Sequence, residues 1–259
     1  MHYIRYNFLT VGSVNISLIT VTFNAANTIE KCIKSVIAQS YPNVEYIIID
    51  ACSTDATISI INRYKNHVHH LISEPDKGIY DGMNKGIALA TGDIIGIINA
   101  DDHFADDHIL THVARAFQSS GADIIYGDID YIDKKNKIIR KWRSGVYKPG
   151  HFNRGWMPPH PSFYAKRQLF DSFGKYDLQY GSATDYELML RFIHTHNIKV
   201  HYINKVMVRM LVGGVSNQSI GNRINAWQND YRAMKRNRLA LPYISIVLKP
   251  FRKIIQYLR

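Results

Sequence analysis

The chain has 259 residues, of which 46% are hydrophobic and 20% charged, the balance of an ordinary globular protein. This length can bury a full core and favours one large domain with an appendage over two equal domains. No apolar run reaches the roughly 20 residues of a membrane span, and the N-terminus lacks the features of a signal peptide. The only cysteines, Cys32 and Cys52, favour reduced thiols in the cytosol over a disulfide scaffold.

Strands and helices are predicted to alternate in the first half of the chain. Apolar runs predict strands at 16–22, 44–50, 69–73, 93–99 and 124–126. Helical spacing of apolar residues predicts helices at 27–37, 58–64, 79–90 and 107–118. Asn27 with Glu30 is typical of a capping box, and Gly92 of the residue that ends a helix. The alternation predicts an α/β fold whose sheet is mostly parallel and flanked by helices on both faces.

The pattern changes after Asp128. A hairpin is predicted over 131–143 around the turn 134–136, followed by a rigid proline-rich loop at 158–161. Thr184 with Glu187 is typical of a second capping box, and it predicts a helix over 185–195. This half is therefore predicted to be less regular than the first.

The most informative stretch is Asn99-Ala100-Asp101-Asp102, which closes the apolar run 94–98. Two adjacent carboxylates are thus expected just past the carboxyl end of a buried strand, the edge at which open α/β sheets bind ligands. Such hard, anionic ligands suit a Mg²⁺ or Mn²⁺ ion shared with phosphate oxygens. The alternative is a simple strand-ending turn, because Asp and Asn are common turn formers.

Other predicted strand ends carry groups that suit a nucleotide. Thr22-Phe23-Asn24 and Asp50 supply an aromatic ring and polar groups at the same edge as the acid pair. Together these are what a nucleoside diphosphate needs. No Gly-x-Gly-x-x-Gly and no P-loop is present, which disfavours a dinucleotide dehydrogenase and a P-loop NTPase.

The positive charge is concentrated at the C-terminus. Between Arg223 and Arg259 there are nine Lys or Arg and one acid, Asp230, so this tail carries +8 of the formal +11. Its basic, aromatic-rich composition favours binding to an anionic lipid surface. A helical cap on the main domain is the first alternative, and nucleic acid is a weaker one because no nucleic-acid-binding signature accompanies the charge. The apolar stretch 239–248, broken by Pro242, is too short to span a membrane.

Several motifs, in order along the chain, resemble glycosyltransferase family 2 of the GT-A fold. Residues 17–24 resemble its opening strand, 33–42 its helix and turn, and 49–55 its second strand end. Residues 73–87 are similar to the branch that builds bacterial surface polysaccharides of the colanic acid, O-antigen or capsule type. Residues 99–102 match the DXD-type position and 183–188 the late acidic motif. The chain departs from many relatives at Ala51-Cys52, where they carry a second acid and then Gly.

The resemblance implies a domain organisation and a reaction. It implies an N-terminal extension at 1–14, a GT-A domain at 15–217 and a basic amphipathic tail at 218–259. Within the domain, 15–128 would bind the nucleotide sugar and 129–217 the acceptor. The implied reaction is inverting transfer from a nucleotide-sugar donor, preferably a UDP-sugar, to a saccharide or polyprenyl-linked oligosaccharide. The tail would hold the enzyme on the inner face of the bacterial cytoplasmic membrane.

The resemblance also implies roles for individual residues. Asp185 would be the catalytic base, against the alternative of a helix-start acid favoured by the helix dipole. Asp102, with Asp101, would hold the Mn²⁺ or Mg²⁺ ion, and His160 would lie on the acceptor side. Loop 213–216 would close over the diphosphate. The predicted nucleotide-sugar-binding residues are Thr22, Phe23, Asn24, Asp50, Asp76, Lys77, Asn84, Asn99 and Asp101. For Phe23 the alternative is core packing, and for Lys77 an exposed loop lysine.

Two other classes of protein compete with this interpretation. A sugar-nucleotide-binding protein without catalysis would not need both Asp102 and Asp185. A nucleotidyltransferase has a similar sheet, but it usually carries a Gly-rich, Lys- or Arg-bearing loop after the first strand, where this chain has residues 23–27. A processive polymerase of the family would need membrane spans and a Gln-x-x-Arg-Trp motif, so single addition is favoured.

Overall fold

The structure, a computed structural model, describes residues 13–212 and 220–257. In this part of the chain the strands are β1 (Ile16–Thr22), β2 (Val44–Asp50), β3 (His70–Ser73), β4 (Ile94–Ile97), β5 (His103–Phe104), β6 (Ile124–Ile132), β7 (Ile138–Trp142), β8 (Tyr164–Lys166) and β9 (Val200–Leu211). The α-helices are α1 (Ile29–Ile37), α2 (Thr57–Asn62), α3 (Ile79–Leu89), α4 (Ile109–Ser120), α5 (Arg167–Phe173), α6 (Thr184–Met189), α7 (Ile220–Arg236) and α8 (Pro242–Ile255). Most of the predicted extension at 1–14 and the predicted loop at 213–216 lie outside the described residues.

The strands form one sheet in the order β3-β2-β1-β4-β8-β6-β9-β5, and β7 pairs with the second half of β6. Strands β1 to β4 run parallel, β8 runs antiparallel between β4 and β6, and β9 is parallel to β6. The prediction of a mostly parallel sheet is confirmed. The register pairs Thr22 with Asp50 and Asp50 with Ser73, so the carboxyl ends of three strands finish level at one edge.

Each face of the parallel strands packs against helices. Ile19 points to the face covered by α3, and a Cβ on Gly86 of that helix would lie only 2.5 Å from the Ile19 Cγ2 methyl. Leu18, one residue earlier, belongs to the opposite core with Cys32 of α1. The alternation of side chains along a strand therefore fills two cores, as the prediction of helices on both faces requires. Cys32 is buried and Cys52 is exposed, and both are free thiols.

Beyond β6 the chain forms a hairpin and several short helical turns. Strands β6 and β7 pair antiparallel, which confirms the hairpin predicted between Tyr131 and Arg143. A π-helical turn, Leu190–Thr195, continues α6, so the helix predicted over 185–195 is present with a wider last turn. The ring of Trp156 lies 5.3 Å from that of Phe152 and 5.7 Å from that of Tyr126. This aromatic cluster joins the irregular segment to β6.

The predicted capping box of α1 is wrong. The helix begins at Ile29, and the residue before it is Thr28, which makes no side-chain capping bond. Asn27 therefore lies one residue too early to be the cap. The Glu30 carboxylate accepts a hydrogen bond from the Tyr64 hydroxyl at 2.7 Å, so it joins α1 to the end of α2 and does not cap its own helix.

The predicted capping box of α6 is also wrong. The Thr184 hydroxyl donates to the Asp177 carbonyl at 3.1 Å, upstream of the helix. The Glu187 carboxylate accepts from the Arg191 guanidinium at 3.0 Å and from the Asn237 amide at 3.2 Å. A buried carboxylate gains more from a charged partner than from a backbone N–H at a helix start. Tertiary partners thus take both side chains away from the helix terminus.

Gly92 does not end α3, contrary to the prediction. The helix ends at Leu89, and Ala90 already has extended backbone angles. A Cβ on Gly92 would lie 2.7 Å from the Ser17 hydroxyl oxygen and 2.8 Å from the Ser17 backbone nitrogen. The position requires glycine because the turn before β4 approaches the β1 backbone this closely.

The C-terminal tail packs on the second half of the domain. Met234 and Leu239 are buried in the same core as α6. The Ser245 hydroxyl of α8 donates to the Phe152 carbonyl at 2.7 Å. The tail is therefore a helical cap on the domain, as one of its predicted alternatives requires.

The path of α8 depends on two residues with special backbones. Pro242 lies in the first turn of the helix, where a missing N–H costs nothing, so it starts α8 after the break predicted for the apolar stretch. Gly155 has a φ of +70°, and a Cβ there would lie 2.6 Å from the Lys249 backbone nitrogen. Only glycine lets α8 lie this close to the domain. None of the described helices is both long and apolar enough to cross a membrane.

Candidate active site

The loop after β4 holds the acid pair at the carboxyl edge of the sheet. Asp102 is 1% exposed, whereas Asp101 is half-buried. The Asn99 amide donates to Asp102 Oδ2 at 3.2 Å, and the Asp102 backbone N–H donates to the Asn99 carbonyl at 3.0 Å. Asp102 Oδ1 and Asn99 Oδ1 are buried and have no hydrogen-bond donor in the described part of the chain. Two unpartnered acceptor oxygens in one buried loop fit a cation.

The pKa shifts of Asp101 and Asp102 agree with a cation site in this loop. Burial, together with the Asp101 carboxylate, raises the pKa of Asp102 well above its ordinary value, and burial raises the pKa of Asp101. Residues 13–212 and 220–257 contain no group of three His, Cys, Asp or Glu that could hold a metal. Phosphate oxygens commonly complete the coordination of Mg²⁺ in proteins that bind nucleotides.

Asp50 organises the neighbouring strand ends. Its carboxylate is fully buried and accepts hydrogen bonds from the Ser53 N–H at 2.9 Å, the Ser53 hydroxyl at 2.5 Å and the Ser73 hydroxyl at 2.6 Å. These bonds orient the loops after β2 and β3. The carboxylate itself is not presented to the surface, so contacts to a base at this position fall to the loop backbone.

The loop after β1 is joined to the loop after β2. Asn24, at a φ of +48°, accepts from the Thr54 N–H at 2.9 Å, and its own N–H donates to the Ser53 hydroxyl at 2.8 Å. Phe23 is 62% exposed, so the alternative that it packs in the core is wrong. Thr22 is buried below it, and its hydroxyl oxygen has no partner among the described residues.

Asp76 and Lys77 lie on the segment that enters α3. The Asp76 carboxylate accepts from the Gly78 N–H at 2.8 Å, which orders the turn before the helix. The Lys77 N–H donates to the Asp81 carboxylate at 3.0 Å, while its side chain is exposed. Because Glu74 N–H donates to the Asp50 carbonyl at 3.0 Å, this segment leaves the sheet at the edge that carries the other candidate residues.

Asn84 joins α3 to the acceptor side. Its amide nitrogen donates to the Tyr176 carbonyl at 2.8 Å, and its amide oxygen accepts from the Tyr176 N–H at 2.9 Å. The Tyr176 hydroxyl lies 2.7 Å from His160 Nε2, and the Tyr176 ring centroid lies 5.6 Å from that of Tyr80. The structure therefore brings Asn84 and His160 together through a tyrosine that the sequence did not single out.

Asp185 lies in the first turn of α6, beside this cluster. Its carboxylate accepts from the Tyr186 N–H at 2.7 Å. Burial and, after it, the Asp185 charge raise the pKa of Tyr80 and of Tyr176. Burial lowers the pKa of His160, and the Asp185 charge partly opposes this effect. At neutral pH the two phenols are therefore protonated and the imidazole is neutral.

Tyr131 connects the two acidic sites. Burial raises its pKa, the Arg140 guanidinium opposes that shift, and the Asp102 and Asp185 carboxylates add to it. Both acidic sites are thus within electrostatic reach of one phenol. Sequence reasoning missed Tyr131 as a site residue, along with Tyr80 and Tyr176, because a tyrosine in a hairpin or a loop carries no spacing signal.

Solved structures establish the fold. The mannosyltransferase PcManGT from Pyrobaculum calidifontis, in complex with GDP-Man and Mn²⁺, matches with a TM-score of 0.67 at 17% identity over 94% of this chain and 73% of that one. S. aureus TarS 1-349, in complex with UDP-GlcNAc, matches with a TM-score of 0.68 at 16% identity over 88% of this chain and 67% of that one. The predicted GT-A glycosyltransferase fold is confirmed.

The sequence comparison adds the family. The model of glycosyl transferase family 2 matches residues 17–176. The chain therefore belongs to glycosyltransferase family 2, and the predicted glycosyltransferase activity is confirmed. A PGL/p-HBAD biosynthesis glycosyltransferase of Mycobacterium tuberculosis is 26% identical over 250 residues, which cover 92% of this chain and 91% of that relative.

Proposed function

We propose that the protein transfers a sugar, with inversion at the anomeric carbon, from a nucleotide-sugar donor to a hydroxyl of a saccharide or polyprenyl-linked oligosaccharide. The observation that carries this proposal is the presence of two acidic sites: Asp101-Asp102, with the unpartnered buried oxygens of Asp102 and Asn99, and Asp185. One lies at the sheet edge and suits the donor, and the other starts a helix on the acceptor side. The similarity of residues 73–87 to the surface-polysaccharide branch supports a role in bacterial surface polysaccharide synthesis.

The donor would lie along the carboxyl edge of β1, β2 and β4. Phe23 offers an exposed ring on which a base can stack, and Asn24 and Asp50 hold the loops whose backbone would contact that base. A preference for UDP is part of the proposal, supported by the UDP-sugar complex of the structural neighbour. Lys77, exposed at the same edge, would neutralise phosphate charge, and Asp76 would keep the turn that carries it.

The acid pair would hold the divalent ion. Asp102, with Asp101 and the carbonyl oxygen of the Asn99 side chain, supplies the anionic and neutral oxygens that Mn²⁺ or Mg²⁺ prefers. When bound, the ion would neutralise charge on the departing diphosphate. Asp101 is the more exposed of the two carboxylates. We propose that it binds the ion and also contacts the ribose or the sugar of the donor.

Asp185 would act as the base. It would accept the proton of the acceptor hydroxyl while that oxygen bonds to the anomeric carbon and the bond from this carbon to the diphosphate breaks. The Tyr80 and Tyr176 hydroxyls, kept protonated by burial, can donate hydrogen bonds beside it. His160 would contact the acceptor side through its bond to Tyr176, and Asn84 would act by positioning that tyrosine.

A screen of nucleotide sugars tests the donor class. We expect one UDP-sugar to raise the melting temperature in the presence of Mn²⁺ and to be slowly hydrolysed, with release of UDP. GDP- and dTDP-sugars serve as matched controls for the base, and ATP and NAD for the nucleotide class. Release of inorganic diphosphate from a nucleoside triphosphate would instead indicate a nucleotidyltransferase. Donor binding that never leads to UDP release, with or without acceptors, would indicate a binding protein.

We also propose that the tail holds the protein peripherally on the inner face of the cytoplasmic membrane. Six large apolar residues on one side of α8 and just past its end are each 49% to 70% exposed. They form the apolar face of α8: Tyr243, Ile244, Val247, Phe251, Ile254 and Tyr257. Lys235, Arg236 and Arg238 are exposed nearby on the preceding segment. An apolar face bordered by cations is the arrangement of helices that lie in an anionic bilayer interface.

The variant Val247→Asp with Phe251→Asp tests this part. Each apolar side chain buried in lipid contributes roughly 1.5–3 kcal/mol, so we expect binding to phosphatidylglycerol vesicles to fall at least about tenfold in cosedimentation. Leu71→Asp with Val146→Asp, an equal charge change at two exposed apolar residues outside the tail, is the control and should bind as the wild type does. Equal vesicle binding by all three proteins would leave the tail as a cap only.

A further inference from the structure

A cleft separate from the sheet edge lies between α8 and the second half of the domain. It is a narrow, partly open cleft of about 40 Å³, with Trp142 and Trp156 on the domain side and Gln256 on the helix side. Four cations line it: Arg143, Lys249, Arg252 and Lys253. No acidic side chain is among its lining residues in the described part of the chain. The cleft is therefore a concentrated positive site with aromatic walls.

Two of these cations already have partners. The Arg143 guanidinium lies 2.7 Å from the Asp130 carboxylate, and the Lys249 ammonium lies 2.8 Å from that of Asp230. The Lys249 ammonium also lies 3.5 Å from the centroid of the Tyr186 ring. These bonds hold the two side chains in place, so they form the fixed part of the site.

The other two cations have no acidic partner within the described residues. Arg252 and Lys253 take part in none of the ion pairs found there. Arg252 is half-buried and Lys253 is exposed. Burial lowers the pKa of Arg252, and the neighbouring cation Arg154 adds to the effect. Two adjacent cations without acidic partners cost free energy that an anionic ligand would recover.

The cleft is connected to α6, the helix whose first turn holds the proposed base. Lys249 stacks on Tyr186, which follows Asp185 in the chain, and Asp185 is among the charges that act on Lys253. Met157, another lining residue, comes shortly before His160. An acceptor with its anionic group in the cleft could therefore present a hydroxyl toward Asp185.

The side of α8 that faces away from the cleft indicates that such an acceptor would be carried by a lipid. Lys249, Arg252, Lys253 and Gln256 recur at helical spacing on the side that faces the cleft. The apolar face of α8 lies on the opposite side of the helix and is exposed. A lipid whose chains enter the bilayer at the apolar face would carry its phosphate at about the level of the cleft.

We infer that this cleft binds the phosphate or diphosphate group of a lipid-linked acceptor, with Arg252 and Lys253 as its specificity-determining residues. Guanidinium and ammonium groups are the side chains best suited to phosphate oxygens. This inference rests on the proposed function, since it gives the acceptor of that reaction its chemical class. The same phosphate chemistry is offered by the headgroups of anionic lipids.

The test measures binding of farnesyl diphosphate, a short prenyl diphosphate, to the full chain by calorimetry. We expect Arg252→Ala with Lys253→Ala to weaken binding by roughly tenfold or more, the scale for loss of charge-assisted hydrogen bonds. Lys134→Ala with Lys135→Ala removes the same charge from exposed positions of the turn between β6 and β7, outside the cleft, and it should change binding less than about threefold. Farnesol, which lacks the phosphates, should not bind the wild type measurably.

Two further arms separate the sources of phosphate and the two proposals. Displacement of farnesyl diphosphate by inorganic diphosphate but not by phosphatidylglycerol vesicles assigns the cleft to the acceptor. Displacement by the vesicles assigns it to lipid headgroups and overturns the acceptor assignment. The melting-temperature shift given by UDP and Mn²⁺ is measured on the wild type and on every variant. Absence of this shift in the wild type would count against the proposed function alone. If both double variants bound farnesyl diphosphate equally weakly while that shift remained intact, the assignment of the cleft as a phosphate site would be overturned.

Discussion

Replacing Asp185 with asparagine is expected to lower turnover by about 10²–10⁴-fold, the usual contribution of a positioned acid or base. Asparagine keeps an oxygen that can accept the Tyr186 N–H, bonded at 2.7 Å in the native protein, so the start of α6 is expected to survive. The proposed donor site lies at the sheet edge, so the affinity for the donor should be little changed. Steady-state kinetics and a donor titration on the same preparation measure both quantities.

The matched control for this variant is Asp177→Asn. Asp177 is a half-buried acid that also accepts a backbone N–H near a helical start, from Gln179 at 3.2 Å, but its side chain is not part of the tyrosine cluster. Its replacement should leave turnover within a few fold of the wild type. If Asp185→Asn lost donor affinity in place of turnover, Asp185 would be a binding residue and the proposed mechanism would fail.

Asp102→Asn is expected to abolish the dependence of donor binding on Mn²⁺. Altering a residue that only supports a metal ligand costs about 10–100-fold in affinity, so loss of a ligand itself should cost at least roughly 100-fold. The fold should remain intact, because burial and Asp101 already disfavour the charged form of Asp102 in the metal-free protein. Melting temperature in EDTA is therefore expected to stay the same or to rise, as a buried unpaired charge is removed.

Asp101→Asn provides the comparison. Asp101 is more exposed than Asp102, and we expect its variant to bind the donor more weakly while still responding to Mn²⁺. Isothermal titration of UDP with and without Mn²⁺ distinguishes the two variants. Full activity of Asp102→Asn, or undiminished wild-type activity in EDTA, would remove the metal from the proposal.

The strands of the first half could be predicted closely because their signals are local. Residues 16–22 and 44–50 are apolar runs bounded by turn residues, and they form β1 and β2 with those limits. The helix termini were predicted less well, since a capping signal competes with distant partners that the sequence does not reveal. Glu30 bonds Tyr64 and Glu187 bonds Asn237 of the tail, and neither partnership follows from helix chemistry.

The candidate site divides in the same way. The acid pair and Asp185 could be found from the sequence, because each lies at the end of a strand or the start of a helix that the apolar pattern locates. The cluster of Tyr80, Tyr176 and His160 could not, because it forms where α3 meets loops from the second half. The spacing of residues along the chain does not indicate which distant segments pack together. The cations of the tail were visible as charge, but not as the lining of a cleft.

Arg140 limits how this enzyme can be recombined with its relatives. Its guanidinium is buried among the rings of Tyr131, Trp142 and Tyr257, and its Nε donates to the Gln256 side chain at 2.8 Å. A chimaera joined at residue 218 would pair this buried cation with a foreign tail that lacks its acceptor. The portable unit is instead the tail together with the β6–β7 hairpin, and exchanging both should transfer acceptor preference between relatives without unfolding either parent.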